Sequence, residues 1–236
     1  MTELIKDEKD NTPEIIKTNT KLDIYEYNKL DPQRWISKEL SMDDMNNMSE
    51  QNQIQFWRNR SINNQQSLYA RSCLQTEFDT WTYFNEETVA RLVEFIGGQK
   101  NNTVLEGGAG SALLAYFLQS NGIHVIPTDN GSEIKTNTKI YTDIIKLDAT
   151  EAVVKYPTNI LLAVWPRYGV LQSAMKKFNG EFVIFCGELG GGCTDCVDND
   201  DFELLETIES HIPYACIYDH LMIYKRKTSK EQVEKM

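Results

Sequence analysis

Between residues 85 and 225, short apolar runs alternate with stretches whose apolar residues recur every three or four positions. The runs suit strands buried on both faces, and the recurring stretches suit amphipathic helices. Asn85 followed by Glu86 and Glu87 offers an N-cap and two first-turn carboxylates to a helix whose Val89, Leu92, Val93 and Ile96 share one face up to Gly97. A first strand is predicted over 103–105, then a helix over 111–120 carrying Leu114, Phe117 and Leu118 and stopped at Gly122. Strand two falls at 124–128, and a short third strand within 140–147 ends at Asp148, followed by a helical turn through Ala152 and Val153. Residues 160–165 are an uninterrupted apolar strand and 181–186 another buried strand, and the two flank a helix carrying Leu171, Ala174, Met175 and Phe178. The spacing of Phe202, Leu204, Leu205 and Ile208 predicts a last long helix. Residues 214–218 and 220–225 then form two adjacent strands, too close for a crossover helix and therefore antiparallel.

This order predicts an α/β fold over residues 81–227: a doubly wound, mostly parallel seven-stranded sheet with its last strand antiparallel. Ahead of it, residues 24–80 set Tyr25, Tyr27, Trp35, Met42, Met45, Met48, Phe56, Trp57 and Tyr69 among Asn and Gln at helical spacing. That segment is expected to be a helical N-terminal extension packing on the core or covering its site. Residues 1–23 have too little apolar surface to offset ordering entropy and are expected to form a flexible tail, as 228–236 are a polar C-terminal tail.

Lys plus Arg number 24 against 35 for Asp plus Glu, a net charge of −11 that disfavours a generic grip on nucleic acid. Five scattered cysteines, no N-terminal apolar signal segment and no apolar run near ~18 residues lead to the expectation of a soluble, reduced, cytoplasmic protein without a membrane partner.

Candidate chemistry centres on residues 104–110, Val-Leu-Glu-Gly-Gly-Ala-Gly, and on Asp129, nineteen positions after Gly110. Glycines at 108 and 110 allow a sharp turn and a close ligand approach. A dinucleotide fingerprint would need a third glycine where Leu113 stands, and Glu106 would repel a pyrophosphate. A cofactor with a cationic centre and no phosphate fits better, which points to S-adenosyl-L-methionine. Asp129, with Asn130 beside it, suits the hydroxyls of a ribose, or else closes an Asx turn. Ligands of such sheets lie outside the carboxyl ends of the strands at the switch point, where Glu106, Asp129, Asp148, Trp165 and Glu188 fall.

Residues 105–110, Asp129, Asp148-Ala149, Trp165-Pro166 with Tyr168, and Gly187-Glu188 followed by Gly191-Gly192-Cys193-Thr194 resemble a class I, Rossmann-like methyltransferase-like family of bacteria, fungi and other microbial eukaryotes. The resemblance spans about residues 81–226. It implies that Gly108 and Gly110 lie against the methionine part of S-adenosyl-L-methionine and that Glu106 orients its amino group. By the same analogy Asp148 accepts from the adenine amino group and the Ala149 amide reads a ring nitrogen; Asp148 equally suits a helix N-cap. Trp81 and Tyr83 correspond to aromatics near that pocket.

Two departures bear on the reaction. Trp165 stands where amino-group methyltransferases carry Asn or Asp, so an amine's proton would need another acceptor. Arg167 replaces the family's usual second proline. Trp165 and Tyr168 remain candidates for the transfer site, and Glu188 is the candidate proton acceptor or substrate anchor, in a loop with glycines at 187, 190, 191 and 192. Cys193 and Cys196 cannot complete a zinc site, and His211 and His220 are too widely spaced to help them, so no metal is expected. The acids 195, 198, 200 and 201 either recognise a cationic substrate or solubilise an edge. The leading function is methyl transfer to an unidentified acceptor, a small molecule or a protein. The alternatives are an inactive binding or regulatory subunit and a nucleic-acid adenine N-methyltransferase, the latter disfavoured by the acidic charge and the missing Asn or Asp.

Overall fold

The computed structural model describes residues 13–35, 48–189, 193–197 and 200–228. Its strands are β1 (Ile15–Ile16), β2 (Val104–Gly107), β3 (Val125–Asp129), β4 (Ile144–Lys146), β5 (Ile160–Val164), β6 (Phe182–Glu188), β7 (Phe202–Thr207) and β8 (Asp219–Arg226). Its helices are α1 (Ile24–Asn28), α2 (Glu50–Phe78), α3 (Glu86–Gly97), α4 (Leu113–Ser120), α5 (Ala149–Lys155) and α6 (Val170–Met175), with a short 3-10 turn at Pro32–Trp35. All eight strands form one sheet in the order β1-β4-β3-β2-β5-β6-β8-β7. β2 through β6 run parallel, and β8 lies antiparallel between β6 and β7. The chain winds outward from β2 through β3 to β4, then returns to add β5 and β6 on the other side, so the switch point lies between β2 and β5.

The central strands divide their residues between two cores. Ile160, Leu162 and Ile184 pack with Leu92 and Ile96 of α3 and Leu114 and Leu118 of α4. Leu161, Ala163, Val183 and Phe185 pack on the opposite face with Ala152 and Val153 of α5 and Leu171 and Ala174 of α6. Two-sided burial is why these strands read as unbroken apolar runs.

Three expectations need correction. Residues 202–207 are not a helix but the edge strand β7, in which only Phe202 is fully buried while Leu204 and Leu205 are half exposed. A register shift between Leu204 and Glu206 interrupts the two-residue alternation, so the apolar positions imitate a helical period. Residues 214–218 are then a turn rather than a strand, and the antiparallel pair is β7 with β8. Finally, the expected flexible tail contributes an eighth strand. Ile15 and Ile16 pair with Ile145 and Ile144, and the Lys146 amide donates to the Glu14 carbonyl at 2.8 Å. Asp143 fixes that strand by accepting from the Lys17 ammonium at 2.8 Å and the Thr18 amide at 2.9 Å. Two isoleucines beside the open edge of β4 suffice for pairing that composition alone does not reveal.

The helical extension is present in α1 and α2; Met42, Met45, residues 1–12 and residues 229–236 lie outside the described residues. Ser67, Ala70, Leu74 and Phe78 form the buried face of α2. Tyr27 of α1 is fully buried, stacks on Tyr83 at 4.7 Å and accepts a hydrogen bond from the Phe84 amide at 2.8 Å, tying the extension to the sheet domain. Among the described residues no helix is long and apolar enough to cross a membrane.

The β7 assignment has a direct test in urea denaturation. Leu205→Ala is expected to cost no more than about 0.5 kcal/mol, as for an exposed side chain. Ile184→Ala, in a fully buried strand, is expected to cost about 2–5 kcal/mol. A Leu205 cost in the core range would restore the helix.

Candidate functional site

The tip of β2 leads into a turn whose Gly108 and Gly110 have φ of +73° and +56°, conformations that L side chains rarely adopt. A Cβ at either glycine would meet nothing within 4 Å, so the backbone borders open space there. Gly107 serves packing instead, because a Cβ would come within 3.0 Å of the Ala149 methyl. The amides of Gly108 and Ala109 both donate to the Thr128 carbonyl at 2.9 Å, holding the turn against β3.

The strand tips beside this turn carry acids. Asp129 accepts from the Gly110 amide at 3.0 Å and from the Gly131 amide at 2.7 Å, so it both closes an Asx turn and braces the glycine turn. Asn130 accepts from the Ser132 amide at 2.9 Å. Asp148 caps α5 through the Thr150 amide at 2.8 Å. A carboxylate oxygen accepts more than one hydrogen bond, so these local duties leave Asp129 and Asp148 acceptor capacity toward the cavity they line.

Glu106 differs from both. It is 1% exposed, and its Oε2 has no hydrogen-bond partner. Burial, and secondly the charge of Asp129, push its carboxyl up to about 8. Burial therefore favours the neutral carboxyl at this position.

The cavity has a volume of about 630 Å³. Trp81, Glu106, Gly108, Gly110, Asp129, Asn130, Asp148, Ala149, Trp165 and Glu188 all line it, as the sequence reading requires of one site. Two other candidates do not. Tyr83 is drawn into the aromatic cluster around Tyr27, where its hydroxyl meets Asn28 at 3.2 Å. Tyr168 is 79% exposed in the turn before α6 and is absent from the lining.

The lining also includes an aromatic pair. Trp81 and Trp165 stack at 5.8 Å with 21° between their planes, and the Arg71 guanidinium lies 5.5 and 5.1 Å from their ring centroids. Trp165 adopts a left-handed φ of +48°, a conformation costing about 1–2 kcal/mol, held by its amide's 2.7 Å bond to the Cys186 carbonyl. Arg71 is a site residue that the sequence did not single out. It lies on the buried stripe of α2, four residues after Ser67 and three before Leu74, and an arginine there with no acid opposite was the available signal. Among the described residues it makes no salt bridge, unlike Arg167, which pairs with Glu133 at 2.6 Å beside the cavity.

The loop after Glu188 is settled in part. Gly190, Gly191, Gly192 and Asp198 lie outside the described residues. Asp195 is buried rather than at a solvated edge, accepting from the Gln172 amide at 3.0 Å while its own amide donates to the Pro166 carbonyl at 3.0 Å. Cys193 and Cys196 are free and exposed.

No family model matches the chain, and no curated protein matches it. Solved structures similar to it include the Burkholderia thailandensis 1,6-didemethyltoxoflavin-N1-methyltransferase, at 9% identity over 73% of this chain and 90% of that one, with a TM-score of 0.43. Others are a TehB-like SAM-dependent methyltransferase from Corynebacterium glutamicum (14%, 75% and 97%, 0.40) and a ribosomal protein L11 methylase from Lactobacillus delbrueckii subsp. bulgaricus (16%, 62% and 82%, 0.39). At these scores the likeness carries no argument about chemistry, and the description of the fold rests on the strand order itself.

Glu106 supplies a pH prediction. From about 4.3, where an ordinary glutamate ionises, to about 8, the unfolded chain loses this proton while the folded chain keeps it, so stability falls as pH rises through that window. Glu106→Gln is expected to remove a slope of up to about 1.4 kcal/mol per pH unit. Urea denaturation at stepped pH reads it; parallel curves for the two proteins would place the proton elsewhere.

Proposed function

We propose that this protein is an S-adenosyl-L-methionine-dependent methyltransferase acting on a small-molecule or protein acceptor. The observation that carries the reading is Glu106, a buried carboxyl without a partner, placed beside a glycine turn in the cavity that Asp129 and Asp148 also line. A cationic ligand group supplies what that carboxyl lacks, and a pyrophosphate would meet the carboxylates of Asp129 and Asp148. The open space at Gly108 and Gly110 leaves room for the ligand's backbone approach.

When bound, the cofactor supplies a methyl group already activated by a sulfonium. Glu106 gives up its proton and accepts hydrogen bonds from the ligand's ammonium. Asp129 offers its remaining lone pairs to ribose hydroxyls, and Asp148 with the Ala149 amide reads the adenine edge. Trp165 and Trp81 wall the methyl side with their ring faces, which favours a neighbouring positive charge and keeps water away. Glu188, half-buried at the end of β6, anchors the acceptor or takes its proton, a task that the Trp165 indole, a donor only, cannot perform. Alignment is then the protein's main contribution to rate. The acidic lining and the net charge of −11 favour acceptors other than nucleic acid.

Calorimetry with S-adenosyl-L-methionine and S-adenosylhomocysteine tests the reading. Both are expected to bind, with close to one proton released per ligand near pH 7 for the parent and none for Glu106→Gln, read from the dependence of heat on buffer ionisation. Asp129→Ala is expected to weaken binding at least about tenfold, the equivalent of about 1.4 kcal/mol, in a protein that stays folded. Absence of heat for either ligand would leave only a fold-bearing or regulatory protein.

A further inference from the structure

Beneath the aromatic wall lies a second constellation that the proposed transfer does not use. Cys186 of β6, His211 of the connection 208–218 and Asp219 of β8 are all buried, and one ligand atom of each lies within 4.8 Å of the others. His211 Nε2 is 3.3 Å from Asp219 Oδ2 and 4.0 Å from Cys186 Sγ. The Thr82 hydroxyl donates to Asp219 Oδ2. Two polar atoms of the group, His211 Nδ1 and Asp219 Oδ1, are buried without partners.

The arrangement is not that of a proton relay. A relay needs the nucleophile and the carboxylate on different ring nitrogens. Here the thiol and the carboxylate face the same nitrogen, so three donors converge on one point. Metal–ligand bonds of about 2.0–2.3 Å in a tetrahedron place neighbouring donors roughly 3.3–3.7 Å apart. The observed 3.3 and 4.0 Å lie near this range, and the third separation, from Cys186 to Asp219, is within 4.8 Å, so the side chains must draw together to match. On binding, the metal would displace the Cys186 thiol proton to solvent, and the resulting thiolate and the carboxylate carry two negative charges that a divalent cation neutralises. The thiolate and the imidazole favour zinc over calcium or magnesium.

We propose that Cys186, His211 and Asp219 bind a divalent zinc ion in a buried site, with the Thr82 hydroxyl or a water as its fourth ligand. The ion would clip β6, β8, the 208–218 connection and the segment ahead of α3 at one point. Because the Trp165 amide is bonded to the Cys186 carbonyl, the clip also sits directly under the aromatic wall of the cavity.

The test uses the full chain with Cys73, Cys193, Cys196 and Cys216 all replaced by serine, which leaves Cys186 as its one thiol. This protein is expected to purify with stoichiometric zinc, to lose several degrees of melting midpoint in chelator and to regain them with added zinc. Reloaded with cobalt(II), it is expected to show the d–d bands of a tetrahedral site and a thiolate-to-cobalt charge-transfer band. Asp219→Asn and His211→Gln in the same background are expected to weaken metal retention at least about tenfold, as for lost ligands. Folded four-serine protein that holds no zinc, has the same midpoint in chelator and in zinc, and gives no charge-transfer band would overturn the site and leave an ion pair beside a thiol. Cobalt bands that survive Cys186→Ser would overturn it equally, by placing the metal elsewhere.

Discussion

β2 is hydrogen-bonded on both edges and buried on both faces, and the site depends on that confinement. Glu106 sits in register with Pro127 on one side and Leu162 on the other, so its backbone cannot carry the side chain toward water. Burial there pushes the carboxyl's pKa up and favours its neutral form, and a nearby cation favours the charged one. The parallel sheet places the ends of β3 and β4 beside it, bringing Asp129 and Asp148 to the same cavity. One sheet therefore provides both a desolvated, unsatisfied acid and its hydrogen-bonding neighbours.

The N-terminal extension adds a wall to this site, since Arg71 of α2 lines the cavity. Its attachment is aromatic: Tyr27 meets Phe78, Tyr83 and Phe117 within 5.6 Å. With α2 held in place, Arg71 reaches the two stacked tryptophans. The cavity is thus lined by acids at the strand tips and by a cation over two indoles. Trp165 joins the two, since its strained backbone is bonded to β6 while its ring meets Trp81 and the Arg71 guanidinium of α2.

Periodicity is legible where burial is two-sided or amphipathic, and it fails where an element is at an edge. The strands β2 to β6 and the helices between them follow from uninterrupted runs and shared helical faces. β7 was misread because a bulge at the edge removes the alternation, and β1 because two isoleucines carry no periodic signal. Tyr83 and Tyr168 illustrate the same limit at the site. Both lie near motif residues in sequence, but packing takes one ring into the core and leaves the other in solvent.

By itself the sequence determined the α/β fold class, the glycine turn and the acids that close successive strands, because these depend on local spacing and on backbone conformations that few residues accept. Only the tertiary structure decided the protonation of Glu106, the position of Arg71 and the meeting of Cys186, His211 and Asp219 with Thr82. A carboxyl's proton depends on water exclusion by residues far along the chain. Thr82 and Asp219 are 137 positions apart, and nothing local in either links them. Burial and convergence are properties of the assembled sheet and its cover, and sequence spacing encodes them only after the chain has folded.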